Sequence, residues 1–261
     1  MRKQTTDEFK VGGDQLLAVK GGSGKPLLVL HEELGNPGWL GWHEALGRRR
    51  TLLLPLHPGF GQTPRIDWIA NVRDLACFYA RFLREQRLAP IDVVGFSFGG
   101  WLAAEMAAND PHLFRTITLV APMGICPPRG EIMDMFTVTA RAYLQKTVLD
   151  PTHTPEFSNL YRGTESPEQF EAFEDARAEA ARIGWQPYMF NPSLPHLLEG
   201  ISAVPTLLVW GRQDAVVPVS AADVYHRALR DSQLVIFERS GHRPEIEKPA
   251  EFINQIEKFL D

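Results

Sequence analysis

The sequence predicts an α/β fold: a mostly parallel sheet of about eight strands flanked by helices, interrupted by one helical insertion. Three observations carry this reading. Short, continuously apolar runs alternate with longer segments of helical period, as in sheets built from crossover units. The runs lack an in/out alternation, which suits strands covered on both faces. The alternation then stops between about residues 125 and 201, where helical periodicity continues without a strand of the earlier kind. The expected division is therefore a core of residues 1–124 and 202–261 and an insertion of residues 125–201.

Taken in order, the candidate strands are LLAVK (16–20), PLLVLH (26–31), TLLLPL (51–56), IDVVGF (91–96), TITLVA (116–121), TLLVWG (206–211) and LVIFE (234–238). Between the third and fourth, residues 67–87 place Trp68, Val72, Leu75, Tyr79 and Phe82 at three- and four-residue steps, one face of a helix. FGGWLAAEMAAN, VSAADVYHRALR and PAEFINQIEKFLD read the same way. Inside the insertion, Ser166-Pro167 marks a helix start, a capping hydroxyl followed by a proline at the first helical position. Phe170, Phe173, Ala176, Arg177 and Ala180 then share a face, and the acidic run from Glu165 to Glu179 is expected to be solvated.

Bulk properties narrow the function. A chain of 261 residues fits one large domain with an insertion, and 44% hydrophobic residues supply a core. A net charge of -5 leaves no basic surface for nucleic acid or an anionic membrane. No apolar stretch reaches membrane-spanning length, and MRKQTTDEFKVGG lacks the apolar segment of an export signal. Cys77 and Cys126 form neither a disulfide framework nor a metal-like spacing. The expectation is a reduced, cytoplasmic protein acting on a small molecule, with no cofactor and no metal. Oligomeric state is not encoded in any pattern of this kind.

Chemistry concentrates in VVGFSFGGW (93–101). Gly95-Phe96-Ser97-Phe98-Gly99 follows G-x-S-x-G, after an apolar strand and at the start of a helix. A strand turning sharply into a helix strains the central residue, and side chains two positions either side would collide, hence the glycines. The serine projects from the turn, and the helix N-terminus offers free N–H groups to developing negative charge. A nucleophilic serine needs a base, and the base needs an orienting acid. Asp214 follows the strand TLLVWG and His242 follows the strand LVIFE, both beyond strand C-terminal ends, where open α/β sheets build their sites. Arg212 is no base, and Glu238 is read as part of a strand, so Asp214 is the better acid.

Together these segments resemble the α/β-hydrolases of the small esterase, epoxide-hydrolase and haloperoxidase-like group, over nearly the whole chain. PLLVLH resembles that group's third strand with its H-G-x oxyanion loop, and LHPGFGQT the D-x-P-G-F-G-x-S loop. GFSFGGW resembles the nucleophile elbow, VPTLLVWGRQDAVVP the acid strand and SGHRPEIEKPAEF the histidine loop. The resemblance implies a helical cap at 125–201 that covers the site. It also implies acyl transfer: Ser97 attacks a carbonyl, His242 shuttles the proton, Asp214 holds the imidazole, and the N–H groups of Phe98 and Glu33 hold the oxyanion. Trp101, Met123, Phe136, Tyr143, Trp185 and Tyr188 are candidates for an apolar acyl pocket.

A serine at the elbow separates the chain from the dehalogenase and epoxide-hydrolase branches, which use aspartate there. Carbon–carbon hydrolases of aromatic-ring degradation often carry tryptophan after the catalytic histidine, where this chain has Arg243. Haloperoxidase-type perhydrolysis shares the same triad. Three readings follow: a serine hydrolase of a small ester or lactone, a carbon–carbon hydrolase of a vinylogous diketone, and a ligand-binding protein that has lost hydrolysis.

The least family-like stretch is LHEELGNPGWLGWHEALG (30–47). A zinc-protease pattern needs histidine four residues after His31, and Gly35 stands there. His43-Glu44 is expected on an exposed helix face. Glu32 occupies the usual glycine position and His57 the usual aspartate position, which raises an ion pair between them. The alternative is that Glu32 or Glu33 points its carboxylate into the site, to bind a cationic or hydroxyl-bearing substrate or to position water.

Overall fold

The computed structural model describes residues 4–162, 166–201 and 204–261; Glu165, where the acidic run begins, and residue 202, where the second core segment begins, lie outside them. Eight strands form one sheet: β1 (Thr5–Val11), β2 (Asp14–Gly22), β3 (Lys25–Leu30), β4 (Arg50–Pro55), β5 (Ile91–Phe96), β6 (Phe114–Val120), β7 (Thr206–Gly211) and β8 (Ser232–Phe237). Their order is β1-β2-β4-β3-β5-β6-β7-β8. The β1–β2 and β2–β4 pairs are antiparallel, and every other pair is parallel. The α/β prediction holds. β5 and β7 are buried along their whole length, as continuously apolar central strands should be.

β1 was not among the sequence candidates. It is a half-exposed edge strand with no apolar run, closed onto β2 by a turn at Gly12 and Gly13, both at positive φ. The helix predicted at 67–87 is shorter, α2 over Val72–Glu85, because Asn71 caps it by accepting from the Asp74 N–H. Trp68 therefore falls outside the helix and is 53% exposed, while Val72, Leu75, Tyr79 and Phe82 form the buried face. β8 ends at Phe237, so Glu238 starts a turn rather than sitting in a strand; it pairs with Arg212 at the surface.

Two helices flank the site directly: α1 (Gly41–Leu46) after β3, and α3 (Phe98–Asn109) after β5. α3 is buried on nearly every side, which accounts for its uniformly apolar sequence. Between β6 and β7 the regular elements among the described residues are helices, including α4 (Ala140–Lys146), α5 (Pro167–Gly184) and α6 (Leu194–Leu198), joined by turns and irregular stretches. Ser166 caps α5 by accepting from the Gln169 N–H. Phe173, Ala176, Arg177 and Ala180 are buried as expected. Phe170 is not: in the first turn of α5 it is 56% exposed. Glu179 departs from the solvated run, being buried against Arg182. The chain closes with α7 (Ser220–Ala228), α8 (Pro244–Glu247) and α9 (Pro249–Leu260). Among the described residues, no helix is long and apolar enough to cross a membrane.

Candidate active site

The parallel strands deliver three loops to one edge of the sheet. β5 runs into Ser97, which sits at φ 47° and ψ -111° just before α3. That strained backbone survives because its surroundings admit nothing else. A Cβ on Gly95 would stand 2.4 Å from the Gly99 carbonyl oxygen, and one on Gly99 would stand 2.3 Å from that of Leu30. The elbow is thus pressed against the end of β3 at a distance only glycine permits. Ser97 is buried, and its Oγ has no hydrogen-bond partner among the described residues.

Asp214 follows β7 and His242 follows β8. Asp214 Oδ1 accepts from the N–H groups of Val216 (2.8 Å) and Val217 (2.9 Å), which fixes the carboxylate. Its Oδ2 lies 2.8 Å from His242 Nδ1. With that nitrogen donating, Nε2 is the free basic atom, and it too is buried without a partner. Burial pulls the imidazole pKa down, but the Asp214 charge, the hydrogen bond to it, and then the charges of Glu33 and Glu32 outweigh this. The net result lies above the ordinary histidine value.

The loop after β3 carries the surprise. Glu32 does not pair with His57. Its Oε1 accepts from Tyr161 Oη (2.7 Å) and lies 2.5 Å from Arg243 Nη2, so the glutamate is matched by an arginine beside the histidine. Arg243 also donates to Thr147 Oγ1 (3.0 Å) and Tyr161 Oη (3.2 Å). Burial raises Glu32 above the usual carboxylate range, against the downward pull of the Arg243 charge. Glu33 is fully buried; Tyr143 Oη donates to its Oε1 at 2.6 Å, and its Oε2 has no partner. The Glu33 N–H donates to no backbone carbonyl among the described residues, and the Phe98 N–H opens a helix, where no intrahelical partner exists.

His57 instead belongs to a neutral network with His31. Its ring stacks on that of His31 at 3.7 Å, its Nε2 bonds to the His31 carbonyl (3.2 Å), and Tyr79 Oη bonds to its Nδ1 (2.6 Å). Burial, then the neighbouring His31, holds its pKa well below the usual value, so it offers Glu32 no charge. His43 is also not on an exposed face. It is buried against Trp42 at 3.6 Å and accepts from the Leu40 N–H at the start of α1, and burial depresses it to about 3.

The six pocket candidates disperse. Met123 is buried and its N–H donates to the Ser97 carbonyl (3.1 Å), and Tyr143 holds Glu33. Trp101 donates to Glu105 and lines an outer cavity of about 330 Å³ with Asn71, Gln186 and Asn191. Phe136, Trp185 and Tyr188 form an edge-to-face cluster inside the inserted segment, with Phe136 and Trp185 partly exposed. The sequence reading did not assign Tyr161, Thr147, Arg243 or Glu245 to the site. Tyr161 meets Glu32 129 residues away, and Arg243 meets Thr147 and Tyr161 96 and 82 residues away, beyond the reach of any local pattern.

An eight-stranded sheet with a strained serine between glycines, followed by an acid and a histidine on later strands, defines the α/β-hydrolase class. The profile of the alpha/beta hydrolase family matches residues 27–255, and the chain belongs to that family. It is 28% identical over 264 residues to 2-hydroxy-6-oxo-2,4-heptadienoate hydrolase of Pseudomonas putida, covering 92% of this chain and 90% of that one. It is 26% identical over 266 residues to pyrrolizixenacetamide deacetylase of Xenorhabdus hominickii, covering 97% of each. Among solved structures it superposes on a putative lipase of Acinetobacter baumannii with a TM-score of 0.79, at 25% identity over 98% of this chain and 91% of that one.

Proposed function

We propose that the protein is a serine hydrolase that cleaves a small ester, lactone or related carbonyl compound through an acyl-enzyme on Ser97. The observation that carries this is the 2.8 Å His242–Asp214 contact at the same C-terminal edge of the parallel strands as a serine held at φ 47°. Ser97 Oγ attacks the carbonyl carbon while His242 Nε2 takes its proton. The imidazolium then gives that proton to the leaving alkoxide, and the C–O bond breaks. Water enters, loses a proton to His242 and attacks the acyl carbon, and Ser97 leaves with that proton. The Phe98 and Glu33 N–H groups hold the oxyanion, each worth about 3 kcal/mol of barrier. Residues 125–201 act as a cap: Tyr143 and Tyr161 reach the β3 loop, and the His242 N–H donates to the Thr147 carbonyl (2.8 Å). A cytoplasmic setting is consistent with two free cysteines.

A second reading is favoured by the Pseudomonas putida relative: hydrolysis of a carbon–carbon bond in a vinylogous diketone. Steady-state turnover of matched aryl esters and dienoate diketones separates the two. The proposal expects esters to be the faster class, with a burst of one phenolate per protein, and Ser97→Ala to lose at least about 10³-fold in rate. Diketone turnover well above that of every ester would replace it with the second reading.

A further inference from the structure

Four buried carboxyl groups surround His242, and three are accounted for. Asp214 has two backbone donors and the imidazole. Glu32 has Arg243 and Tyr161. Glu245 Oε2 also has no donor among the described residues, but its Oε1 faces Arg243 Nη1 at 3.7 Å and burial pushes its pKa to about 8, so this carboxyl is largely neutral. Glu33 differs. It is fully buried, one oxygen holds only the Tyr143 hydroxyl, and the other has no donor among the described residues. A half-satisfied buried carboxylate is costly and persists where something else uses it.

Its position limits what that can be. Glu33 lies three residues past β3, beside the elbow, and its charge is felt by His242. A bare carboxylate there opposes the oxyanion that the reaction generates. A hydroxyl on the substrate would fill the open oxygen without cancelling the charge; a cation would do both. Resting on the serine-hydrolase reading of this site, we infer that Glu33 Oε2 receives a protonated amine carried by the substrate close to its scissile carbonyl. Glu33 is then a specificity residue as well as a backbone oxyanion donor. Neutral acyl compounds are poorer substrates, and carboxylate-bearing ones such as dienoates are the poorest.

The test is a series of alkyl fluorophosphonates of equal length ending in methyl, ammonium or carboxylate, with the inactivation rate constant measured for each. In the wild type the ammonium probe inactivates at least about tenfold faster than the methyl probe, and the carboxylate probe slowest. Glu33→Gln, isosteric and checked for folding by circular dichroism, brings the ammonium-to-methyl ratio to near one. Tyr143→Phe, which keeps the carboxylate, preserves the preference. Equal rates for the three probes in the wild type, or an unchanged ratio in Glu33→Gln, overturns the inference while leaving Ser97 as nucleophile. Absence of reaction at Ser97 with every probe removes the serine-hydrolase reading itself.

Discussion

The sheet buries charge at both ends, and the two ends are built differently. At the N-terminal edge of the parallel strands, Asp92 accepts from Arg50 Nη1 (2.8 Å), Arg115 Nε and Nη2 (3.0 and 2.9 Å) and Thr116 Oγ1 (2.9 Å). Each of its oxygens has two donors. At the C-terminal edge, Glu33 Oε2, Arg243 Nη1, Glu245 Oε2, Ser97 Oγ and His242 Nε2 are all buried without a hydrogen-bond partner among the described residues. Closed networks hold a fold together; a cluster of open polar atoms at strand C-termini is prepared for something that arrives. Buried charge alone did not mark the site. The grouping of open atoms at one sheet edge did, since single atoms of Trp42, Thr63, Glu105, Thr118 and Arg177 lack a hydrogen-bond partner elsewhere among the described residues.

Breaking the closed end is expected to cost stability and nothing else. Asp92→Ala leaves the buried Arg50 charge, among the described residues, with only the exposed Asp261 carboxylate at 3.9 Å and the Leu260 carbonyl, and should lower unfolding free energy by about 3 kcal/mol in urea titration. The ratio of kcat/KM values between substrates should not move, since Asp92 lies at the opposite edge of the sheet. A change in that ratio would mean that the two ends are coupled.

A smaller effect sharpens the open end. His242 must be neutral to act as base, so kcat/KM rises with pH through its pKa, which lies above the ordinary histidine value. Asp214 supplies the main upward pull, and the Glu33 charge adds to it. Removing that charge in Glu33→Gln lowers the pKa, so the acid limb of the kcat/KM profile moves to lower pH. An acid limb that stays in place would show that Glu33 carries no charge felt at the imidazole.

The same contrast explains what could be read from the sequence. The elbow, the acid and the histidine are each legible locally: a strand, a glycine where side chains would collide, a polar residue just past a strand end. Gly95 and Asp214 are dictated by neighbours a few residues away, whereas Gly99 answers to the Leu30 carbonyl at the end of β3. The β3 loop is not. Glu32 and Glu33 take their meaning from Tyr161 and Tyr143, 129 and 110 residues onward, and from Arg243, so their sequence could suggest an ion pair but not its partner. His43 misled for a related reason. Its place in a polar-looking helix start gives no hint that Trp42 stacks on it and buries it. β1 escaped because a half-exposed edge strand needs no apolar run.

The central claim is that Ser97 is the nucleophile, and covalent mapping tests it most directly. After reaction of the folded protein with a neutral fluorophosphonate, peptide mass spectrometry should find one phosphonyl group, on Ser97, and none on Ser97→Ala. An adduct on another residue, or equal labelling of both proteins, would contradict the account.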